Sequence, residues 1–217
     1  MGWERHYKQG WPMRKHLWKQ RIWAFACSAG RGQNRAMYSS DTLSALSQLV
    51  PALAGRHTAE DAFKSIETAL ARTVGHRLFT VLIIDEARML DRRIYSSDPL
   101  NYPCGGTKPL YVDNDFYRTV VTAGLSRYCR DKEECRRAFF DYDVIEALGC
   151  ESAVNVPVRW NGVTLGSLNL LHKAGWYHED MADDLALFAT MAVPLYKQEL
   201  LAMQNSPAEF GSSLTGQ

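Results

Sequence analysis

Residues 149–172 read GCESAVNVPVRWNGVTLGSLNLLH. Two runs rich in Val and Leu flank Asn161-Gly162, and Asn and Gly are the residues that accept the positive φ of a tight hairpin turn. The stretch is therefore predicted as two antiparallel strands joined at 161–162. Gly149 leads into it, Val-Pro-Val closes the first strand, and Leu-Gly-Ser-Leu fills the second.

Downstream of this hairpin, residues 174–177 make a turn and 178–180 lead into a long helix. Met181, Leu185, Leu187, Phe188, Met191, Ala192 and Leu195 give that helix one broad apolar face, and Pro194 predicts a kink. Upstream, the β-branched run 79–84 is predicted as a buried strand and 90–96 as its antiparallel return across the turn 85–88. Residues 98–111 (DPLNYPCGGTKPLY) form a loop by composition, in the position where binding tends to sit. Residues 113–124 read as a short helix closed by Gly124, and 125–129 as a brief strand. Asp131 caps an amphipathic segment through 148 that breaks near Asp141. Nearer the N-terminus, Leu43, Leu46, Leu49, Val50 and Leu53 recur at helical spacing behind Ser40-Asp41, with Pro51 bending or ending that helix. Thr58 with Asp61 caps a second helix that Gly75 stops. Helices and an antiparallel sheet in this order are an α+β pattern.

With 46% apolar and 23% charged residues in 217, the composition is that of an ordinary globular protein with one domain and an extension. No run approaches the roughly 20 apolar residues of a membrane helix, so no membrane partner is expected. Charge is split unevenly. Residues 1–36 hold eight basic residues and one acidic, a net +7, which leaves −6 on residues 37–217. That body carries no basic footprint for nucleic acid. Five cysteines, Cys27, Cys104, Cys129, Cys135 and Cys150, form no CxxC pair, which argues against a disulfide framework or a structural zinc and fits a reducing cytoplasm.

The first 36 residues carry Trp3, Trp11, Trp18 and Trp23 among basic residues. A basic aromatic arm and a signal peptide are two readings of this segment. The break in composition at Met37 favours a third, that the working protein begins there. The expected organisation is a basic, Trp-rich extension over 1–36, disordered or foreign to the native protein, then a domain over 37–204 and a flexible tail over 205–217.

Across residues 41–203 the order and pattern resemble the GAF domain family. The specific portion is LGCESAVNVPVRWNGVTLGSLNLLHKAGWYHEDMADDLALFATMAVPLY, in which Gly149, Pro157, Gly166 and the helix over 180–203 stand at the family's habitual positions. The resemblance implies an α+β fold with a GAF-like central antiparallel sheet, helices packed on one face and a loop-covered pocket on the other. It also implies a stand-alone sensory or regulatory domain that binds an as yet unidentified small molecule and signals by a conformational or dimer-interface change. A homodimer through the terminal helices would follow. The Asn-Lys-Phe-Asp-Glu signature of cyclic-nucleotide-binding members is absent, no cysteine matches a bilin attachment site, and no cofactor is assigned.

On this resemblance the candidate ligand-binding residues are Arg93 and Tyr95 on the return strand, Cys104 in the loop, Phe116 and Tyr117 in the short helix, and Asn155, Ser167 and Asn169 in the hairpin. A two-residue turn pairs 160 with 163 and sets Ser167 and Asn169 opposite Val156 and Val154, on the other face from Asn155; one extra residue reverses this. Structural hydrogen bonding competes with ligand binding at all three. Arg92 and Arg93 point to opposite faces, so one of them can meet an anion. His172 and His178 lack a spaced partner set for a metal.

Two alternatives remain. Free methionine-(R)-sulfoxide reductases are GAF proteins that use a thiolate and a resolving thiol, and Cys104 with Cys150 meeting over the pocket is the pair for that chemistry, with Cys129 and Cys135 as further candidates. That family's loop motif does not surround any of the four. A ligand-free dimerisation module is the second alternative. Walker, GxGxxG, HExxH and GxSxG motifs are missing.

Overall fold

The computed structural model of the chain describes residues 38–205. The expectations for 1–36 and for the tail over 205–217 lie outside the described residues, except that Asn205 is helical. Helices α1 (Ser40–Ala54) and α2 (Ala59–Thr73) come first; α1 is capped by Ser39, one residue before the expected Ser40-Asp41, and α2 by the expected Thr58. The Ser39 hydroxyl accepts from the Thr42 amide, and Thr58 and Asp61 satisfy each other's backbone N–H groups in a capping box. Gly75, at φ +75°, donates its amide to the Leu70 carbonyl and ends α2.

Strands β1 (Leu78–Asp85), β2 (Leu90–Ser96), β3 (Thr107–Pro109), β4 (Arg127–Cys129), β5 (Ser152–Trp160) and β6 (Val163–His172) form one antiparallel sheet in the order β3-β2-β1-β6-β5-β4. The 161–162 turn is as expected, with Asn161 at φ 48° and Gly162 at φ 82°. Short helices α3 (Lys132–Ala138) and α4 (Tyr142–Ala147) flank the anticipated break at Asp141, and α5 (Ala182–Asn205) closes the described chain after a 3₁₀ turn over Glu179–Met181.

Alternation along the strands divides the molecule. Val81 and Ile83 of β1, Val154, Val156 and Val158 of β5, and Leu168 and Leu170 of β6 face the helices. There they pack with Phe63, Ile66 and Leu70 of α2 and with Leu185, Phe188, Ala192 and Tyr196 of α5, all buried. Burial of side chains of this size contributes about 1.5–3 kcal/mol each. Gly166 is required by proximity: a Cβ there would stand 2.1 Å from the Leu82 carbonyl oxygen and 2.4 Å from Tyr196 Cε1.

Of the two outcomes expected at Pro51, an end is excluded: α1 runs on to Ala54, and α5 likewise continues past Pro194 to Asn205. Both prolines are on the exposed side, where the carbonyl that lacks its N–H partner meets water. Leu43 and Val50, expected on the buried face of α1, are half exposed at 50% and 49%, while Thr42, Ala45 and Leu49 are buried. The short helix expected over 113–124 is a π-helical segment, Tyr117–Thr122. The Thr164 hydroxyl of β6 donates to its Val121 carbonyl at 2.8 Å, so the strand holds the wider turn in place.

Candidate functional site

A cavity of about 650 Å³ opens on the face of the sheet opposite the helices. Two one-residue bulges decide which side chains reach it. From the turn, Trp160 pairs with Val163 and Arg159 with Thr164, but Val158 pairs with Gly166, which leaves Leu165 as an extra residue in β6. Beyond it Asn155 stands opposite Asn169, and Pro157 opposite Ser167. Of the two facings the sequence left open, Asn155 shares the side of Ser167 and Asn169: the turn has two residues, and the extra residue that reverses the facing lies in the strand.

The second bulge is in β2. Val81 pairs with Tyr95 and Leu82 with Arg93, so Ile94 is the additional residue. Strict alternation would put Arg93 and Tyr95 on one face; the bulge leaves Arg93 on the cavity and turns Tyr95 toward the helices. Tyr95 packs there with its ring 5.8 Å from those of both Phe63 and Phe79, and its hydroxyl donates to a Glu67 carboxylate oxygen.

Matched register produces a polar row across four neighbouring strands: Arg127 on β4, Asn155 on β5, Asn169 on β6 and Thr80 on β1. Arg127 Nε donates to Asn155 Oδ1 at 3.0 Å, and Asn155 Nδ2 donates to Asn169 Oδ1 at 2.7 Å. Asn169 Nδ2 in turn reaches Thr80 Oγ1 at 3.3 Å, while the Ser167 hydroxyl donates to Asn169 Oδ1 at 2.8 Å. Buried amides so linked fix one another's orientation, and the row forms the cavity floor.

Charged groups line the walls. Arg93 Nη1 donates to the Pro103 carbonyl at 2.8 Å, its guanidinium lies 3.6 Å from the centre of the Tyr102 ring, and its Nη2 stands 3.7 Å from Asp141 Oδ2. Lys108 Nζ reaches the same oxygen at 3.3 Å, and the Tyr102 hydroxyl donates to it at 2.7 Å. Burial pushes Asp91 up to about 6, against the pull of Lys108 and Arg93 and with a further push from Asp141. Burial likewise lowers Lys108, with Asp141 opposing it. Phe116 comes from the turn before the π-helical segment, and Arg136, Arg137, Ala138, Phe139 and Phe140 come from α3 and the residues after it.

Of the candidates taken from the sequence, Arg93, Phe116, Asn155 and Asn169 line the cavity. Ser167 is buried just behind Asn169 and acts on the floor through it. Tyr117 packs with Ile84, Leu110 and Val121 at the edge of the sheet. Cys104 is exposed in its loop, and Cys150 is fully buried with Cys135, Ala153 and Leu171; neither lines the cavity. Burial raises the Cys104 thiol, and it pushes the Cys150 thiol up to about 11, away from the thiolate that a reductase needs. Cys129 and Cys135 share that buried cluster, where hydrogen bonding between them lowers Cys129 and raises Cys135.

Lys108 comes from the 98–111 loop expected beside the site, whereas Asp91, Arg127, Arg136 and Arg137 are residues the sequence reading did not assign to it. Arg136-Arg137 on a short capped helix has the pattern of a solvated face, and Arg127 lies in a three-residue strand too short to show its alternation. Among the described residues, no group of three or more His, Cys, Asp or Glu side chains is arranged to hold a metal ion. No helix among them is long and apolar enough to cross a membrane.

No family model matches the sequence, and no curated protein matches it. Solved structures do. The GAF domain of an Acinetobacter phosphoenolpyruvate-protein phosphotransferase superposes with a TM-score of 0.61 at 14% identity, covering 77% of this chain and 99% of that one. The GAF domain of a two-component sensor histidine kinase from Bacillus halodurans gives 0.54 at 14% identity, covering 68% and 99%. Free methionine-R-sulfoxide reductase from Neisseria meningitidis, solved with its substrate, gives 0.54 at 17% identity, covering 76% and 95%. The chain has the GAF fold.

Proposed function

We propose that this GAF-fold chain is a small-molecule-binding sensory domain whose ligand occupies the cavity over the Arg127–Asn155–Asn169–Thr80 row. The observation that carries this reading is the cavity itself: about 650 Å³, floored by an ordered polar network and walled by aromatic and basic side chains. Pockets of this size with a few converging polar groups are the usual form of a metabolite site. The GAF domain of a sensor histidine kinase, among the structures of the same fold, agrees with it. The domain acts in the cytoplasm as a homodimer through its terminal helices; half-exposed Leu43 and Val50 on α1 and exposed Leu201 on α5 are apolar surface suited to that contact. Ligand occupancy changes the position of α5, which is hydrogen-bonded to the strand behind the floor.

The reductase reading is weaker because Cys104 and Cys150 both stand outside the cavity lining. A thermal-shift screen of nucleotides and metabolites on the full chain and on Ala138→Trp, which adds an indole to the cavity lining, tests the proposal. At least one compound is expected to raise the Tm of the wild type and not of the variant. Equal stabilisation of both proteins, or of neither, counts against it. Turnover of free methionine sulfoxide that is lost in Cys150→Ser would instead favour the enzyme.

A further inference from the structure

We propose that the cavity receives a small organic anion, whose carboxylate or phosphate group docks on the guanidinium of Arg127. This rests on the reading of the cavity as a ligand site and adds the chemical class of the ligand. Among the side chains of Asp, Glu, Lys and Arg that line the cavity, Arg93, Lys108, Arg127, Arg136 and Arg137 are basic and Asp91 alone is acidic. A body of net negative charge has thus gathered cations at one concave place, which focuses a positive potential there.

Three of these cations are already engaged. Arg93 and Lys108 face Asp141, and Arg136 Nη1 stands 3.1 Å from Glu133. Arg137 is exposed to water. Arg127 differs from them all. It is 7% exposed, and no carboxylate among the described residues lies within ion-pair distance of it. Its hydrogen bond to the protein is the one from Nε to Asn155 Oδ1; the rings of Phe116 and Phe139, each 5.4 Å from the guanidinium carbon, flank it.

This guanidinium has one neutral amide as its hydrogen-bonding partner, and Asp115 attracts it from beyond ion-pair distance, so a ligand entering the cavity supplies the close counter-ion that the fold does not. The free pair of Nη groups matches a carboxylate or phosphate bidentately. Asn155 fixes the plane of the fork from behind, and Asn169 fixes Asn155. Tyr102, Phe116, Phe139 and Leu171 add apolar wall, so the body of the anion is a flat ring or short hydrocarbon frame.

The test is titration of the full chain at low salt with benzoate and phenyl phosphate, against benzamide as the neutral counterpart, read by calorimetry and by Tm. One or both anions are expected to bind at least tenfold more tightly than benzamide, and their ratio identifies the preferred head group. Arg127→Met keeps the stem and removes the fork; it should lose that preference. Without ligand, this variant loses the one hydrogen bond to Asn155 and should melt within a few degrees of the wild type; a fall as large as that of Asn169→Ala would mark a purely structural arginine. Arg127→Lys, which keeps the charge and loses the bidentate geometry, should bind the anions with intermediate affinity.

Equal binding of benzamide and the anions, no binding of either anion at millimolar concentration, or an anion preference that survives in Arg127→Met overturns the proposal. Binding of benzamide and anions alike that Ala138→Trp abolishes would discard the anion and keep the cavity. Anion binding that Ala138→Trp leaves unchanged would discard the cavity reading as well.

Discussion

Tyr196 of α5 donates its hydroxyl to the backbone carbonyl of Ser167 at 2.8 Å, through the centre of the helical core. The Ser167 hydroxyl donates at 2.8 Å to Asn169 Oδ1 on the cavity side. One residue of β6 therefore touches both the cavity floor and the last helix. A ligand that shifts Asn169 acts directly on the strand segment to which α5 is bonded.

Tyr196→Phe retains the buried ring and takes from that carbonyl the shorter of its two side-chain donors, leaving the one from Asn169 Nδ2 at 3.4 Å. A loss of about 1–2 kcal/mol is expected. Urea denaturation measures it, and hydrogen exchange in α5 should respond less to a cavity ligand than in wild type.

Asn169→Ala removes the junction of the floor, leaving Asn155 Nδ2 and the Ser167 hydroxyl without their acceptor. Both are buried, so about 1–3 kcal/mol of stability should go. The same titrations should show weaker ligand binding, because Arg127 then loses the support behind Asn155. Unchanged stability and binding in this variant would remove the floor from the account.

Gly166→Ala should be among the most damaging single substitutions. Its Cβ would meet the Leu82 carbonyl and the Tyr196 ring at 2.1 and 2.4 Å, and backbone is one of the two obstacles. A cost of about 3 kcal/mol or more is expected, read as a fall in Tm or a loss of soluble protein.

Asp91 gives stability a pH dependence with a defined sign. Its carboxyl rises from an ordinary 3.8 to about 6 in the folded chain, chiefly through burial, so the folded state binds its proton more tightly than the unfolded state. The resulting penalty is absent below about pH 4, grows between pH 4 and 6, and is complete above about 6. Asp91→Asn removes it, and should stabilise the protein at pH 7–8 by up to about 3 kcal/mol while leaving it little changed near pH 4. Urea midpoints of both proteins across that range are the check; a constant difference at every pH would contradict the assignment.

Much of this architecture was legible from local chemistry. Asn161-Gly162 specified its hairpin, Thr58 and Asp61 their cap, and the continuous apolar run of 79–84 its buried strand. The face of the floor residues was not. Leu165 and Ile94 are ordinary strand residues, and nothing in their side chains announces that each is skipped in the pairing; the skip follows from fitting β1, β5 and β6 together. Arg127 was equally hidden. A guanidinium in a three-residue strand shows its burial when Phe116 and Phe139, 11 residues before and 12 after it in the numbering, are folded over it.

The most direct test of the cavity as the sensing site is an NMR titration of the ¹⁵N-labelled full chain with the compound that stabilises it most in the thermal-shift screen. The side-chain amides of Asn155 and Asn169 report from the floor itself. The expected result is saturable shifts at those two amides and in residues 127–140, followed by changes along α5. Shifts confined to the outer surface of the helices, with the Asn155 and Asn169 amides unmoved at saturation, would contradict it.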